Sequence, residues 1–168
     1  RPVGRLLVAQ LLLMVFGLLI PIHAGAVLAP WSDLTVSQMS APLLGTTGYP
    51  YEINVSVENH GNATSGLISV GFYLSTDNHL TNNDTFIQVT TGDPVRSGTG
   101  VQLHSIDTLP LTLTPGEYRL FAYVEDHEGD EKDLIDNTAL LSAPVQIKTG
   151  VLPDTEIIRN SATELLYE

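Results

Sequence analysis

The sequence predicts an all-β protein, an immunoglobulin-like antiparallel β-sandwich of about seven strands, preceded by a signal-peptide helix. Short segments in which apolar and polar residues alternate recur along the chain, and this is the period of a half-buried strand. Gly, Pro, Asn and Asp separate these segments, and residues 33–148 contain no convincing helical period. Short, evenly spaced strands divided by turns are typical of a two-sheet sandwich.

The first 26 residues have the pattern of a secretory signal peptide. Arg5 precedes an apolar run from Leu6 to Ile20, and Ala24-Gly25-Ala26 forms an A-x-A cleavage site. The alternative is an uncleaved membrane anchor, but Pro21 and His23 interrupt the run before the roughly 20 apolar residues that a spanning helix needs. We therefore expect cleavage after Ala26 and a secreted, periplasmic or cell-surface protein that makes no membrane contact once the signal is removed.

The mature chain then divides into three parts. Residues 27–32 form a short leading segment, residues 33–148 the sandwich, and residues 149–168 a C-terminal tail, either a linker or a docking peptide. The sequence contains no cysteine, which excludes disulfides, thiolate metal sites and a cysteine nucleophile. Exported to an oxidising space without disulfides, the domain must draw its stability from the hydrophobic core.

Seven strands follow in order from the alternation. Their expected ranges are residues 33–39, 51–58, 67–75, 86–90, 101–113, 117–125 and 138–148. The third strand is the centre of the predicted core, because its residues separate cleanly onto two faces. Its inner face comprises Ile68, Val70, Phe72 and Leu74, and its outer face Ser69, Gly71, Tyr73 and Ser75.

Three local features refine this prediction. Residues 59–62 should form a turn, since Asn and Gly tolerate positive φ. Ile106 is out of phase with its neighbours, which predicts a bulge near Ser105, and Pro110 should lie at an edge or the end of a pairing. Tyr118 follows the turn at Pro115-Gly116 and is either a tyrosine corner, hydrogen-bonded back across the connection, or an ordinary inward tyrosine.

Several motifs, taken in order, resemble a known family. They are Val57-x-Asn59-x-Gly61, Val70-Gly71-Phe72-Tyr73-Leu74-Ser75-x-Asp77, Leu113-x-Pro115-Gly116-x-Tyr118, and Val124-x-Asp126 followed by Asp136-Asn137. This order is similar to the cell-adhesion-related domain of bacteria and archaea, called CARDB. The resemblance implies an immunoglobulin-like sandwich on secreted or surface proteins, without enzymatic activity of its own. It departs from the family at residues 133–138, where the closing acidic loop of the family tends toward E-x-N-N.

Two acidic loops are candidate calcium sites, because calcium prefers carboxylate and carbonyl oxygens. The first loop contains Asp77, Asn78, Asn82, Asn83 and Asp84. Its alternative is a solvated turn in which Asn and Asp bond their own backbone. The second loop contains Asp126, Asp130, Asp133 and Asp136 together with Glu125, Glu128 and Glu131, and its alternative is a solvated acidic face. Calcium is the one cofactor that the sequence suggests.

The net charge of the chain and the spacing of its His, Ser and Asp residues disfavour several classes of partner and activity. With 19 acidic and 7 basic residues the net charge is −12, which repels phosphate backbones and disfavours nucleic acid. The scattered histidines do not predict zinc, and Ser75, Asp77 and His79 have neither a strained elbow nor an oxyanion hole. The sequons at Asn54, Asn62 and Asn83 are used only in a host that glycosylates them.

Together these observations predict an exported, non-catalytic, adhesion-like binding or spacer module. It would recognise a protein or a surface polysaccharide through loops at one end of the sandwich. The alternative is a small secreted calcium-binding protein.

Overall fold

A computed structural model of the protein describes residues 29–128 and 131–150. The expected signal peptide, Asp130 and almost all of the tail lie outside these residues, so the expectations about them stay predictions. The described residues form nine strands: β1 Leu34–Ser40, β2 Leu44–Thr46, β3 Pro50–Asn59, β4 Ile68–Ser75, β5 Thr85–Gly92, β6 Gly100–Thr108, β7 Gly116–Asp126, β8 Thr138–Leu140 and β9 Val145–Lys148. Within the same residues no helix is long and apolar enough to cross a membrane.

The strands form two sheets, which confirms the predicted all-β, immunoglobulin-like sandwich. The smaller sheet has the order β1-β3-β6, and the larger has the order β2-β9-β7-β4-β5 with β8 also paired to β7. Neighbouring strands are antiparallel, except that β2 runs parallel to β9.

The core lies between the two sheets and follows the predicted alternation. All four inner residues of β4 are buried, and Phe72 is the largest of the fully buried side chains. The smaller sheet meets them with Leu34, Ile53 and Val57, and β7 adds Leu120 and Val124, all of them at 0 % exposure. Burial of these residues supplies the main stabilisation, at about 25 cal/mol per Å² of apolar surface removed from water.

Several local predictions were wrong. The bulge predicted near Ser105 is not formed, because the register between β3 and β6 is continuous there. Ile106 pairs with Glu52, and its side chain faces solvent with 59 % exposure. The register shifts lie instead between Val36 and Gln38 and between Phe72 and Tyr73.

The end of the fifth expected strand and the whole of the last one also differ from the prediction. Residues 109–115 form turns rather than the end of a strand, so Leu111 is exposed while Leu113 is buried. The last predicted strand is divided into β8 and β9, and the short β2 lies in what was expected to be a loop. Residue 144 is Pro, which has no N–H to donate to a continuous ladder.

The predicted turn after β3 is present, but it forms without the positive φ that was given as its reason. Among the described residues positive φ occurs at Gly48 and Gly98. Asn59 is 1 % exposed, and its Oδ1 accepts the N–H groups of Asp33 and Gly61 at 3.2 and 2.9 Å. Its Nδ2 donates to the carbonyls of Ala63 and Val95 at 2.9 and 2.8 Å. The Asn side chain therefore connects β3 to three other segments.

The segment before β1 packs against this turn. The Trp31 carbonyl accepts the N–H groups of Asn62 and Ala63, both at 3.0 Å. A Cβ at Gly61 would overlap the same carbonyl oxygen. Glycine is required at position 61 because the two backbones approach so closely.

Tyr118 forms the hydrogen-bonded corner, which was one of the two predicted alternatives. Its hydroxyl donates to the Thr114 carbonyl at 2.7 Å, across the connection between β6 and β7. The ring itself is 9 % exposed and belongs to the core cluster.

The register places the connecting segments at two ends. Ile68 pairs with Asp126, and Ser75 pairs with Arg119, so the end of β7 lies beside the start of β4. One end, which we call the N-terminal end, carries residues 29–33, 60–67, 93–99, 127–128 and 131–137. The other, the C-terminal end, carries residues 41–49, 76–84, 109–115 and 149–150.

Candidate functional site

The two predicted acidic loops lie at opposite ends of the sandwich. The first, residues 77–84, connects β4 and β5 at the C-terminal end, and the second follows β7 at the N-terminal end. The two loops therefore cannot share one calcium ion, and each must be considered as a separate site.

In the first loop Asp77 closes a turn. Its Oδ1 accepts the N–H of His79 at 2.8 Å, and its own N–H donates to Ser75 Oγ at 3.2 Å. The Ser75 hydroxyl has Asp77 Oδ1 and the His79 carbonyl as alternative acceptors, each at 3.4 Å, and neither is the His79 ring. These three residues therefore do not form a nucleophile–base pair.

Asp84 performs a similar role at the end of the same loop. Its Oδ2 accepts both the N–H and the hydroxyl of Thr81, at 2.6 and 3.3 Å. Partial desolvation raises the pKa of Asp84, but hydrogen bonds from Ser75 and Thr81 outweigh it and hold the pKa below its usual value. The other predicted ligands are exposed: Asn78, Asn82 and Asn83. These contacts are those of a self-bonded turn, which was the alternative to calcium.

At the start of the second loop, Asp126 forms hydrogen bonds to three segments of the N-terminal end. Its Oδ2 accepts the Ser32 hydroxyl at 2.7 Å, and its Oδ1 accepts the N–H groups of Gly66 and Glu128 at 2.9 and 3.1 Å. Asp133 Oδ1 accepts the N–H of Ile135 at 2.9 Å. Asp126 was predicted as a calcium ligand, and it also stabilises the N-terminal end directly.

Glu131 lies at the centre of an acidic cluster, which we define as Asp33, Asp126, Glu131 and Asp136. Asp33 is the one member that does not belong to the predicted second loop. Burial raises the pKa of Glu131, and the negative charges of Asp126, Asp33 and Asp136 raise it further, against a hydrogen bond from the Leu34 N–H at 2.9 Å. The second oxygen of Glu131 and Oδ1 of Asp33 are buried without a hydrogen-bond partner among the described residues.

Asp136 belongs to the cluster electrostatically but faces outward. It is exposed, and its Oδ2 accepts the hydroxyl of Thr35 at 3.0 Å. Within residues 29–128 and 131–150 no group of three or more His, Asp or Glu side chains is arranged to hold a metal ion. Asp130, the remaining predicted ligand, lies outside those residues, so calcium in this loop stays a prediction.

Sequence reasoning missed a third feature. Asn82 and Asp84 of the first loop line a cleft with Tyr73, Phe86 and Tyr123 on the outer face of the larger sheet. The outward aromatic at position 73 was visible in the alternation of β4. Its aromatic neighbours follow only from the order in which β5, β4 and β7 pair.

Comparisons with known proteins agree with the fold. The crystal structure of the CARDB domain of the PF1109 protein from Pyrococcus furiosus, in complex with di-metal ions, has 21% sequence identity and a TM-score of 0.51, over 73% of this chain and 98% of that one. The solution structure of the same domain has 22% identity and a TM-score of 0.51, over 71% and 97%. At these identities the likeness concerns the fold.

Two further comparisons add no function. A β-glucosidase from Listeria innocua matches with a TM-score of 0.47 and 15% identity, and the chain covers 17% of it. No curated protein matches the sequence.

The family comparison covers most of the described domain. The CARDB family model matches residues 31–139, from the segment before β1 to the middle of β8. CARDB is a family of non-catalytic modules of the extracellular type in bacteria and archaea. The Asn59 and Gly61 motif, the outward Tyr73 of β4 and the Tyr118 corner all lie inside the match. The chain therefore belongs to the CARDB family.

Proposed function

We propose that the chain is exported and acts as a non-catalytic, adhesion-like module that binds a partner through loops at the N-terminal end of the sandwich. The observation that carries this proposal is the apolar tip of the second acidic loop. Leu134 and Ile135 are 59% and 89% exposed, between the carboxylates of Asp133 and Asp136. Apolar side chains surrounded by charge are a common composition for a protein-binding surface.

The path of the chain supports a spacer role alongside binding. It enters the described domain at the N-terminal end through residues 29–33, and it leaves at the C-terminal end after β9. A module with this path extends a longer assembly in one direction and leaves its loops accessible.

Binding by the loop tip is tested with a double substitution. Labelled protein is incubated with intact cells of the source organism and the bound fraction is measured by flow cytometry. Leu134→Ser with Ile135→Ser should reduce binding at least ten-fold without changing the melting temperature, because both side chains are exposed. Ile106→Ser is the matched control, since Ile106 is 59% exposed on the smaller sheet. Equal binding by the double variant and the control would reject this loop as the recognition surface.

Export is tested separately by the N-terminus of the mature protein. The signal pattern predicts that residue 27, Val27, is the first residue after cleavage. N-terminal sequencing of protein recovered from the medium or periplasm checks this. Recovery in membranes only, with residues 1–26 retained, contradicts export by cleavage and supports the anchor.

A calcium-binding role at the N-terminal end is the second candidate, and the acidic cluster favours it. Burial and the neighbouring carboxylates raise the pKa of Glu131, and one buried oxygen each of Glu131 and Asp33 has no hydrogen-bond partner among the described residues. A divalent cation beside them would relieve the repulsion. The CARDB domain of PF1109 is a complex with di-metal ions. Asp33 and Glu131, each with one buried oxygen that lacks a hydrogen-bond partner, would hold the ion here together with Asp130, the predicted ligand that lies outside the described residues.

Calcium binding is measured by melting curves in calcium and in chelator at matched ionic strength. At a hundred-fold excess over the dissociation constant, binding stabilises the native state by about 2.7 kcal/mol, which raises the melting temperature by several degrees. Glu131→Gln and Asp130→Ala should each erase that rise. Asp77→Ala, at the opposite end, is the control that should leave it intact. If only Asp77→Ala erases the rise, the site is the first loop instead. Coincident curves for the wild type remove the calcium role and leave the binding module.

A further inference from the structure

The outer face of the larger sheet carries an aromatic cleft of about 550 Å³. Three strands contribute to its floor, with Tyr73 from β4, Phe86 from β5 and Tyr123 from β7. The register brings these side chains together, since Tyr73 pairs with Phe86, and Gly71 beside it pairs with Tyr123. The size lies within the range of about 300–1,000 Å³ that is typical of ligand clefts.

The local sequence holds the aromatic rings against the sheet. A Cβ at Gly71 would lie 3.0 Å from the Tyr73 ring, so the ring lies over the bare backbone of the preceding outward position. The Phe86 ring meets Tyr73 edge to face, with centroids 5.5 Å apart and an interplanar angle of 63°. The two rings therefore fix one another's orientation, and Phe86 is still 51% exposed.

The outer faces of the two sheets differ in the side chains that they expose. On the smaller sheet the outward residues of β3 are polar: Glu52, Asn54, Ser56 and Glu58. On the larger sheet Val89 is 51% and Leu140 37% exposed near the cleft, and Phe121 is buried outside the core between the sheets. The outer face of the larger sheet therefore has an apolar layer of its own.

The rim of the cleft is polar and held in place. Thr81, Asn82 and Asp84 come from the first acidic loop, and Thr138 comes from β8. The hydrogen bond from the Thr81 N–H to Asp84, at 2.6 Å, fixes the loop, and the Asn82 amide is exposed. The rim therefore offers an amide and hydroxyls as donors and acceptors around an apolar floor.

This combination selects a class of ligand. The faces of aromatic rings are negative and attract C–H groups with partial positive charge, such as those on the apolar face of a sugar ring. Hydroxyls at the edge of the same sugar would meet the polar rim. Of the described residues that line the cleft none is Lys or Arg, and the net charge of −12 repels anionic ligands and nucleic acid backbones.

We propose that this cleft binds a neutral polysaccharide, whose sugar rings stack on Phe86 and Tyr123 while their hydroxyls bond Asn82 and Thr138. The inference deepens the proposed binding function, on which it rests, by naming a ligand class and a second surface. This surface lies on a sheet face, and the residues that line it include neither Leu134 nor Ile135, although Thr138 of β8 follows that loop directly. The two surfaces can therefore be tested independently.

The test is retention of the purified full chain by neutral polysaccharides. Cellulose and chitin serve as insoluble probes, soluble mannan and β-1,3-glucan are cast into native gels, and polygalacturonate is the anionic comparison. At least one neutral probe should retain the wild type, and polygalacturonate should not. Phe86→Ala and Asn82→Ala should each weaken retention at least ten-fold. Tyr49→Ala is the matched aromatic control, since Tyr49 is 49% exposed at the C-terminal end, and it should be retained like the wild type.

Folding of each variant is checked by its melting curve, and Asn82→Ala alters an exposed side chain, so it remains informative if Phe86→Ala unfolds. Failure of every neutral probe to retain the wild type overturns the proposal, as does equal retention of all variants. Loss of self-association in Phe86→Ala, with no retention by any probe, would assign the cleft to a second copy of the chain instead. None of these failures affects cell binding through Leu134 and Ile135, which the loop double variant measures separately.

Discussion

The side chain of Asn59 is enclosed by protein and uses its full hydrogen-bonding capacity on backbone groups of the turn and of two other segments. An amide has two acceptor sites and two donors, and all four are occupied here. From sequence, Asn59 was assigned to a turn for its tolerance of positive φ. Its importance comes instead from burial, since partners left unpaired inside a protein are costly.

Asn59→Ala should therefore destabilise the domain by about 3 kcal/mol or more, because several buried backbone groups lose their partner at once and each costs about 1–3 kcal/mol. The urea unfolding midpoint measures the change. Asn54→Ala is the matched control on the same strand, since Asn54 is exposed, and it should shift stability by less than about 0.5 kcal/mol. Similar midpoints for the two variants would contradict the role assigned to Asn59.

Glu131 gives a prediction for pH. Its pKa in the folded state is raised by burial and by Asp126, Asp33 and Asp136, so the folded protein binds this proton more tightly than the unfolded chain. Protonation of Glu131 contributes its full stabilisation at pH values below the pKa that Glu131 has in the unfolded chain. This contribution is lost as the pH rises through the pKa that Glu131 has in the folded protein.

Glu131→Gln should accordingly be more stable than the wild type at pH 7 in chelator, and the difference should shrink as the pH is lowered toward 4. The Gln keeps an oxygen that can accept the Leu34 N–H, so the substitution removes mainly the charge. Urea unfolding at several pH values measures this difference, with the exposed Glu125→Gln as control. A difference that grows on acidification would contradict the direction of the pKa shift.

At the scale of single elements, β4 separates the two roles of the larger sheet. Its inner residues fill the core, and its outer residues Gly71 and Tyr73 build the aromatic cleft. A strand alternates its side chains between two faces, so one segment of eight residues can contribute to stability and to binding independently.

Phe72→Ala should reduce the free energy of unfolding by about 3–5 kcal/mol, the range for deleting a buried aromatic ring. Phe72 is 0% exposed, and the sequence contains no cysteine to form a disulfide that would limit the loss. Chemical denaturation measures it. Val89→Ala on β5 is the outward control, since Val89 is 51% exposed and should tolerate the change. An unaltered midpoint for Phe72→Ala would reject the inner face of β4.

At the scale of the whole molecule, the chain enters and leaves the described domain at opposite ends, which predicts that successive modules are arranged end to end. The longest strand, β7, has 11 residues and spans about 36 Å at roughly 3.3 Å per residue. Two copies of residues 29–150 joined in tandem should exceed the maximum dimension of one copy by at least about 35 Å. Small-angle X-ray scattering measures this dimension. An increase of only one sheet-packing width, about 20 Å for two sheets and their side chains, would indicate side-by-side packing and contradict the spacer role.

The sequence by itself determined the fold class, the inner face of β4 and the family, because alternation and turn residues are local properties of the chain. It did not determine the bulge positions or the division of the last strand. Ile106 interrupts the alternation of apolar and polar residues, and both an exposed apolar residue and a bulge produce such an interruption.

Only the tertiary structure decided how the candidate sites are arranged. The two acidic loops are separated because β4 and β7 run antiparallel, and Asp33 joins Glu131 because β1 starts where β7 ends. Likewise the aromatic cleft exists because β5, β4 and β7 are neighbours. These are contacts between segments distant in sequence, and they depend on the pairing of whole strands, which no local period encodes.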